Sequence, residues 1–135
     1  RFDSSHPLGC SHHQKIVVID DCLAACGGID ISSRRWDTSD HPDADPRRTN
    51  PEGKPYGPWH DTTMMMSGPV AGALGELARE RWKTATKAEL GEIEPCGDEW
   101  PDGLEPDFER VDVAIARTRA KYEDLSEIRE IEALY

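Results

Sequence analysis

Two residues of complementary chemistry stand close together near the start of the chain, His13 and Lys15. A histidine can attack phosphorus or move a proton, and a lysine ammonium can stabilise charge on phosphate oxygens. They lead into residues 15–20, Lys-Ile-Val-Val-Ile-Asp, an apolar run typical of a buried strand. Residues two apart in a strand project to the same face, so His13 and Lys15 are predicted to act together, while His12 points away and is more typical of a structural hydrogen-bonding residue.

The wider pattern around this pair is His-x-Lys-x4-Asp, which ends at Asp20 and is followed by Gly27-Gly28-Ile29-Asp30. By themselves, His13 and Lys15 are better explained as a strand end that faces solvent. The aspartate at fixed spacing and the glycine pair behind it make a phosphate site the better interpretation. Adjacent glycines in a strand indicate a bulge or a close approach of the backbone to a ligand.

The elements that must position these residues can be traced along the front of the chain. Strands are predicted over 15–20 and 23–30, joined by a tight turn, and over 62–67. Pro69 suits the first turn of a helix that runs to about Thr86 with one apolar face. Residues 36–62 contain five prolines and read as a long irregular loop, which in compact domains is usually functional or disordered.

The rest of the chain has a different character. Residues 88–109 are rich in Glu, Asp, Pro and Gly and predict an acidic connector. Residues 111–117 alternate as a strand does, and Asp124 with Glu127 forms a capping box for a final helix. That helix stops at Tyr135 in mid-pattern, which suggests that the chain is part of something longer.

Charge and hydropathy exclude some classes of protein. The net charge of −11 is concentrated in residues 89–135, where 5 basic residues face 15 acidic ones, whereas residues 1–88 hold 11 against 12. Tight binding to nucleic acid or to an anionic membrane requires concentrated basic charge, which neither part supplies. No run of eighteen apolar residues exists, so a membrane-spanning helix is not predicted.

The four cysteines show no spacing typical of disulfides or of zinc ligands. Cys22 and Cys26 lie on a hydrophobic stretch, as buried thiols often do, and favour a reducing compartment. A metal site built from Cys10, His12, Cys22 and Cys26 is a minor alternative. Cys96 stands apart in the acidic connector.

Taken together, these motifs resemble the phospholipase D superfamily, whose signature is His-x-Lys-x4-Asp followed by Gly-[Gly/Ser]-x-[Asp/Asn]. Three further pieces, within a match from about His6 to Thr86, resemble the phospholipase D enzymes proper: Arg35-Trp36-Asp37-Thr38, Pro58-Trp59-His60-Asp61, and Gly68-Pro69-Val70-Ala71 leading to Arg81-Trp82.

The resemblance implies an α/β fold, an α/β/α layered sandwich with a mixed sheet, present here as an incomplete part of a two-half fold. Residues 1–87 would be the catalytic half-domain with the first motif. Residues 88–135 would be the connector, a strand and the start of the helix that leads to a missing second half.

The resemblance also assigns catalytic roles. His13 would be the nucleophile that forms a phosphohistidine, or the partner acid if the order is reversed, and Lys15 would bind the phosphoryl oxygens. Asp20 would tie the motif together rather than touch substrate. Asp61 would accept the other imidazole N–H of His13 and fix its tautomer, unless it is an ordinary loop carboxylate.

Substrate-binding roles follow in the same way. Asp30 and Gly28 would lie close to the phosphate. His60 would support the site, and Trp36, like Trp59, would line a head-group pocket; each of these is as well explained by packing within the loop.

The implied activity is a metal-independent and cofactor-independent phosphodiesterase that hydrolyses phospholipids or transfers the phosphatidyl group to another alcohol, with peripheral membrane contact and no nucleic-acid partner. Such a site needs two motifs, and this sequence has one. The second would come from a later half of the native chain or from a dimer partner, and the 135-residue chain alone would be inactive or nearly so. The alternatives are an endonuclease or phospholipid synthase of the same superfamily, or a non-catalytic domain that binds phosphate or lipid head groups.

Overall fold

The computed structural model describes residues 3–91, 93–94 and 100–135, so Cys96 and part of the acidic connector lie outside the described residues. A three-stranded sheet and one helix form the main unit, and a small two-stranded sheet and a 3-10 helix follow. In chain order the elements are β1 (Lys15–Ile19), β2 (Leu23–Gly27), β3 (Thr63–Ser67), α1 (Pro69–Thr86), β4 (Thr118–Arg119), β5 (Ile128–Arg129) and the 3-10 helix Glu132–Leu134.

β1 and β2 form a hairpin closed by Asp20 and Asp21. Both residues have positive φ, 49° and 55°, and the amide of Cys22 donates to the carbonyl of Ile19 at 3.0 Å. The loop between Ile19 and Leu23 has three residues, Asp20, Asp21 and Cys22, and aspartate tolerates the left-handed conformation that the first two adopt. Strands joined so tightly must run antiparallel.

The large sheet has the order β1-β2-β3 and is antiparallel at both pairings, with Lys15 opposite Gly27 and Gly27 opposite Thr63. The resemblance implied a mixed sheet, which would contain at least one parallel pair of strands. A parallel pair would require a strand that follows α1 and joins this sheet, and no strand does so among the described residues. β2 ends at Gly27 rather than at Asp30, since the amide of Ser32 donates to the carbonyl of Asp30 at 2.8 Å and turns the chain. The prediction of strands at 15–20 and 62–67 is confirmed.

The core lies between the sheet and α1. Ala24, Ala71 and Leu74 are buried, and alternate residues of β1 and β2 reach the helix from the sheet. The helix has the predicted bounds: Pro69 occupies its first turn, and Lys87 caps its end in the left-handed conformation with its amide bonded to the carbonyl of Lys83 at 2.8 Å. Partly buried side chains complete the core: Ile16, Val18, Cys26, Met66, Leu77 and Ile115.

One long-range ion pair fixes the hairpin against the helix. Nη2 of Arg79 lies 2.8 Å from Oδ2 of Asp21, and Nη1 donates to Oδ1 at 2.9 Å. Gly75 makes room for this pair, because a Cβ at that position would overlap the Asp21 carboxylate. The turn between β1 and β2 is thereby attached to the middle of α1.

The predicted strand and helix of the C-terminal part are wrong. Residues 111–117 form no ladder, and the strand begins only at Thr118. The predicted helix from Asp124 is replaced by a hairpin that pairs Arg119 with Ile128, and only Glu132–Leu134 is helical. The Arg117 guanidinium bonds both Glu130 carboxylate oxygens, at 2.9 and 2.7 Å, a tertiary pairing that outweighs the local capping signal.

The fold class is confirmed as α/β. The described residues form a small mixed α/β unit with two antiparallel sheets, one α-helix and no closed barrel. Within the same residues, no helix combines the length and apolarity needed to cross a membrane.

The cysteines differ from the sequence expectation. Cys22 is disulfide-bonded, against the expectation of a buried thiol, whereas Cys26 and Cys10 are free. Spacing along a chain does not reveal which thiols the fold brings together. No group of three or more metal-ligating side chains occurs in the part of the chain that the structure describes, so the alternative metal site with Cys10, His12, Cys22 and Cys26 is not assembled.

Candidate functional site

The structure brings His13, Lys15 and Asp30 together at the start of β1. Nζ of Lys15 lies 3.2 Å from Oδ1 of Asp30 and donates to the backbone carbonyl of His13, also at 3.2 Å. The side chain of Lys15 is only 15% exposed, whereas that of Asp30 is 58% exposed. A partly desolvated ammonium beside an exposed histidine is suited to binding an anionic oxygen.

Gly28 and Asp61 meet beyond the ends of β2 and β3. The amide of Gly28 donates to the carbonyl of Thr62 at 3.2 Å, and the Asp61 carboxylate lies so close to Gly28 that a Cβ there would overlap it. Oδ1 of Asp61 accepts the amide hydrogen of Thr62 at 2.8 Å. The predicted close approach at Gly28 is thus to a side chain of the chain itself.

Asp61 is not hydrogen-bonded to the ring of His13 among the residues described. Its role in fixing the tautomer of His13 therefore stays a prediction. Asp20 lies in the turn at the opposite end of β1, on the order of 20 Å from His13 at about 3.3 Å per residue. This position fits the structural role better than contact with a phosphate at His13.

The loop of residues 36–62 is organised around one buried carboxylate. Asp37 is 4% exposed and accepts hydrogen bonds from the amides of Thr38 at 2.8 Å and Trp59 at 2.7 Å. Nη1 of the fully buried Arg48 donates to Asp37 at 2.7 Å, and Nδ1 of His41 lies 3.0 Å from it. We refer to Asp37, Thr38, His41, Arg48 and Trp59 as the Asp37 cluster.

His60 is attached to the Asp37 cluster through His41. Nδ1 of His60 lies 3.3 Å from Nε2 of His41, and the two rings meet edge to face with centroids 5.1 Å apart. Sequence reasoning singled out His60 but missed Asp37, His41 and Arg48. The available signal was Asp37 within the Arg-Trp-Asp-Thr motif, but spacing alone does not show which loop residues meet.

Both loop tryptophans are packed by arginines. Cζ of Arg35 lies 4.0 Å from the ring centroid of Trp59, and Cζ of Arg47 lies 5.2 Å from that of Trp36. Trp36 remains 48% exposed, so packing within the loop leaves part of its ring open to a ligand.

A cavity of about 300 Å³ adjoins His13 on the side of α1. It lies between residues 3–14, the helix and the C-terminal hairpin, and Arg81 and Arg119 contribute to its wall. His12 also lines it, with Nε2 3.1 Å from the Asp3 carboxylate, which agrees with a structural role for that histidine.

Comparison with known proteins finds relatives of similar sequence. The chain is 31% identical to phospholipase D B of Dictyostelium discoideum over 114 positions, covering 66% of the chain and 9% of that protein. It is 30% identical to phospholipase D gamma 1 of Arabidopsis thaliana, covering 66% of the chain and 13% of the relative, and 31% identical to phospholipase D of Phytophthora infestans, covering 53% and 6%.

The chain is related to the phospholipase D superfamily. No protein-family model and no solved structure matches it. The chain spans at most about one eighth of the length of these three relatives, so the similarity covers only a part of each of them.

The acidity of Asp37 is set by opposing effects within the Asp37 cluster. Burial disfavours the ionised carboxylate, but hydrogen bonds from His41, from the amides of Trp59 and Thr38, and from Arg48 outweigh it and hold the pKa of Asp37 well below its usual range. The Asp37 cluster therefore contains an ionised carboxylate throughout the neutral range.

We expect acid to loosen the Asp37 cluster only below about pH 4. Because the folded pKa of Asp37 is depressed, its contribution to the free energy of unfolding is complete above the unfolded pKa of about 3.9 and is lost as the pH falls through the folded value. The carboxyl ¹³C shift of Asp37 during an acid titration measures this directly. A carboxyl already half protonated at pH 4 would contradict the expectation.

Proposed function

We propose that the chain supplies one of the two phosphate-handling motifs of a phospholipase D-type phosphodiesterase. The observation that carries the proposal is the position of the Lys15 ammonium. Its Nζ lies 3.2 Å from Oδ1 of Asp30 and 3.2 Å from the backbone carbonyl oxygen of His13. The names of the relatives support phospholipids as the substrate class. Peripheral contact with the lipid surface would bring the substrate to the site.

The proposed chemistry proceeds in two steps. The imidazole of His13 attacks phosphorus, an N–P bond forms, and the P–O bond to the head group breaks as a second histidine protonates the leaving oxygen. That second histidine then takes a proton from water or an alcohol, whose oxygen attacks phosphorus as the N–P bond breaks. Lys15 stabilises the charge on the non-bridging oxygens in both steps.

The second histidine is not available from another copy of the motif in this sequence, since His13 alone has a lysine two residues later. A later half of the native chain or a second copy of this chain would supply it. The hydroxyl donor in the second step decides between hydrolysis and transfer.

The test is turnover by the native full-length protein on phosphatidylcholine vesicles. Choline release is expected, and added 1-butanol should divert the product to phosphatidylbutanol, because a covalent intermediate can be released by either nucleophile. Choline release without any phosphatidylbutanol would argue against the covalent route. Binding of vesicles without release of choline would favour the non-catalytic head-group-binding domain instead.

The 135-residue chain alone is expected to form no phosphohistidine above background. Attack by His13 would require expulsion of an alkoxide, and the acid that protonates it belongs to the missing motif. Incubation with phosphatidylcholine labelled with ³²P, followed by alkaline gel analysis, measures the adduct. Stoichiometric labelling of His13 in the isolated chain would show that the single motif suffices.

Gly28→Ala is expected to lower turnover by roughly ten-fold while the fold is retained. The added methyl would displace the Asp61 carboxylate, and small displacements at a reacting centre are costly. Gly57→Ala is the matched control, because nothing lies within 4 Å of a Cβ at that loop position. Equal activity of the two variants in the choline assay would show that displacing the Asp61 carboxylate does not affect turnover, so Asp61 would not belong to the site.

A further inference from the structure

We propose that the cavity beside His13 binds the glycerol end of the phospholipid, the part of the substrate that stays bonded to phosphorus when the head group leaves. The choice of a phospholipid rests on the proposed function. The cavity measures about 300 Å³ and lies between residues 3–14, α1 and the C-terminal hairpin. His13 is itself one of the lining residues, so the cavity adjoins the imidazole that would attack phosphorus.

Arg81 connects the wall of the cavity to the phosphate-handling motif. Its Nη1 donates to Oε1 of Gln14 at 3.2 Å, and Gln14 lies between His13 and Lys15 in the sequence. Both Arg81 and Gln14 line the cavity. A substrate whose phosphate lies at His13 and Lys15 can therefore extend one of its two ester-linked groups into this space.

The charge of the lining favours an apolar or anionic group over a cation. Among the described residues, three guanidiniums and two carboxylates line the cavity, those of Arg81, Arg117, Arg119, Asp3 and Glu80. None of the described lining residues is Trp, Tyr or Phe, the side chains that bind quaternary ammonium groups. The two loop tryptophans of the predicted head-group pocket do not line it either. A choline head group therefore has no suitable partner in this cavity.

Apolar side chains give the cavity affinity for hydrocarbon. Leu77 of α1, Leu125 and Ile128 of the C-terminal hairpin and Pro7 of the N-terminal segment line it, and all four are half-buried. At about 30 Å³ for each water-sized group, the volume holds about ten such groups. This is enough for a glycerol backbone and the first carbons of an acyl chain, so most of each chain would stay in the lipid surface.

The geometry of phosphoryl transfer decides which end of the substrate lies beside the nucleophile. Attacking and leaving atoms stand roughly in line on opposite sides of phosphorus. With His13 as the nucleophile, the head group departs on the far side, whereas the glycerol oxygen stays beside the imidazole. A glycerol end in the cavity therefore agrees with His13 as the nucleophile, and a head group there would agree with His13 as the acid.

Cys10 provides a direct measure of occupancy, because it lines the cavity as a free and exposed thiol. In the native full-length protein, we expect saturating dihexanoyl phosphatidate to slow alkylation of Cys10 by iodoacetamide by about ten-fold. Phosphocholine, which has the phosphate and the head group but no glycerol, should leave that rate unchanged. Cys26, a free thiol packed against the core, is the internal control, and peptide mass spectrometry measures both thiols.

The outcomes separate this proposal from the proposed function. Protection of Cys10 by phosphatidate alone supports the glycerol site, whether or not the protein releases choline. Protection by phosphocholine to the same or a greater extent would overturn it, and so would protection by neither compound. Choline release tests the proposed function independently of these rates.

A kinetic arm uses monomeric phosphatidylcholines from dibutyryl to diheptanoyl. In the native full-length protein, kcat/KM is expected to rise about three- to four-fold for each methylene that enters the cavity. Thr84→Trp and Leu125→Trp, which fill the cavity from the helix and from the hairpin, should abolish this rise. Ala78→Trp, at an exposed position of the same helix outside the cavity, is the control. Native chain-length dependence in both filling variants, with thermal unfolding unchanged, would overturn the proposal.

Discussion

Replacing His13 by asparagine is expected to lower choline release by about 10³-fold or more with little change in KM. Asparagine keeps a polar side chain of similar reach but has no nucleophilic nitrogen, so the loss falls on the chemical step rather than on binding. Removal of a nucleophile typically leaves only the rate that charge stabilisation and positioning still supply. Initial rates on phosphatidylcholine vesicles, with thermal unfolding as a check on the fold, measure the effect.

His12→Asn is the matched control for this prediction. His12 is the adjacent histidine, but its ring lies against His6 with centroids 5.2 Å apart and pairs with Asp3. Its replacement should change stability slightly and leave most of the turnover. Equal rates for native protein and His13→Asn would show that His13 is not catalytic. A larger loss of turnover in His12→Asn than in His13→Asn would show that His12 carries the reacting imidazole.

Lys15→Met is expected to lower kcat by about 10²- to 10³-fold. The substitution keeps the length of the side chain but removes the ammonium that would face the phosphoryl oxygens, and loss of one preformed charge stabiliser has effects of this size. It also removes the partner of Asp30, whose carboxylate would then repel an anionic substrate. The double variant Lys15→Met/Asp30→Asn should therefore recover part of the lost binding.

Lys54→Met, on the exposed edge of the loop, is the control for removal of a positive charge at a distance. A steady-state comparison of kcat and KM for the three variants separates the two effects. If Lys15→Met and Lys54→Met lose activity to the same small extent, Lys15 contributes only to the overall electrostatic potential of the protein and does not bind the phosphate.

The front of the fold could be predicted because its signals are local. The β-branched run after Lys15, the aspartates of the turn and Pro69 at the start of α1 each specify one element within a few residues. The tight turn also limits the register, which sets Lys15 opposite Gly27, whereas the ion pair of Lys15 with Asp30 forms beyond the end of β2 and was not predicted.

The remaining parts depend on contacts between distant residues. The capping box at Asp124 gives a sound helix signal, yet the pairing of Arg117 with Glu130 and of β4 with β5 overrides it. In the loop, the burial of Arg48 against Asp37 joins residues eleven apart that no periodicity relates. For this reason the sequence indicated that the loop matters but not that Asp37 organises it.

The ion pair between Asp21 and Arg79 has a consequence for how the molecule opens. It joins residues 58 apart in sequence and makes the hairpin and the helix one cooperative unit, whose amide hydrogens should exchange with a common opening free energy. The Asp37 cluster is closed within its own loop and can exchange separately. The strand that begins at Lys15 can thus keep its register while the amide hydrogens of the loop exchange.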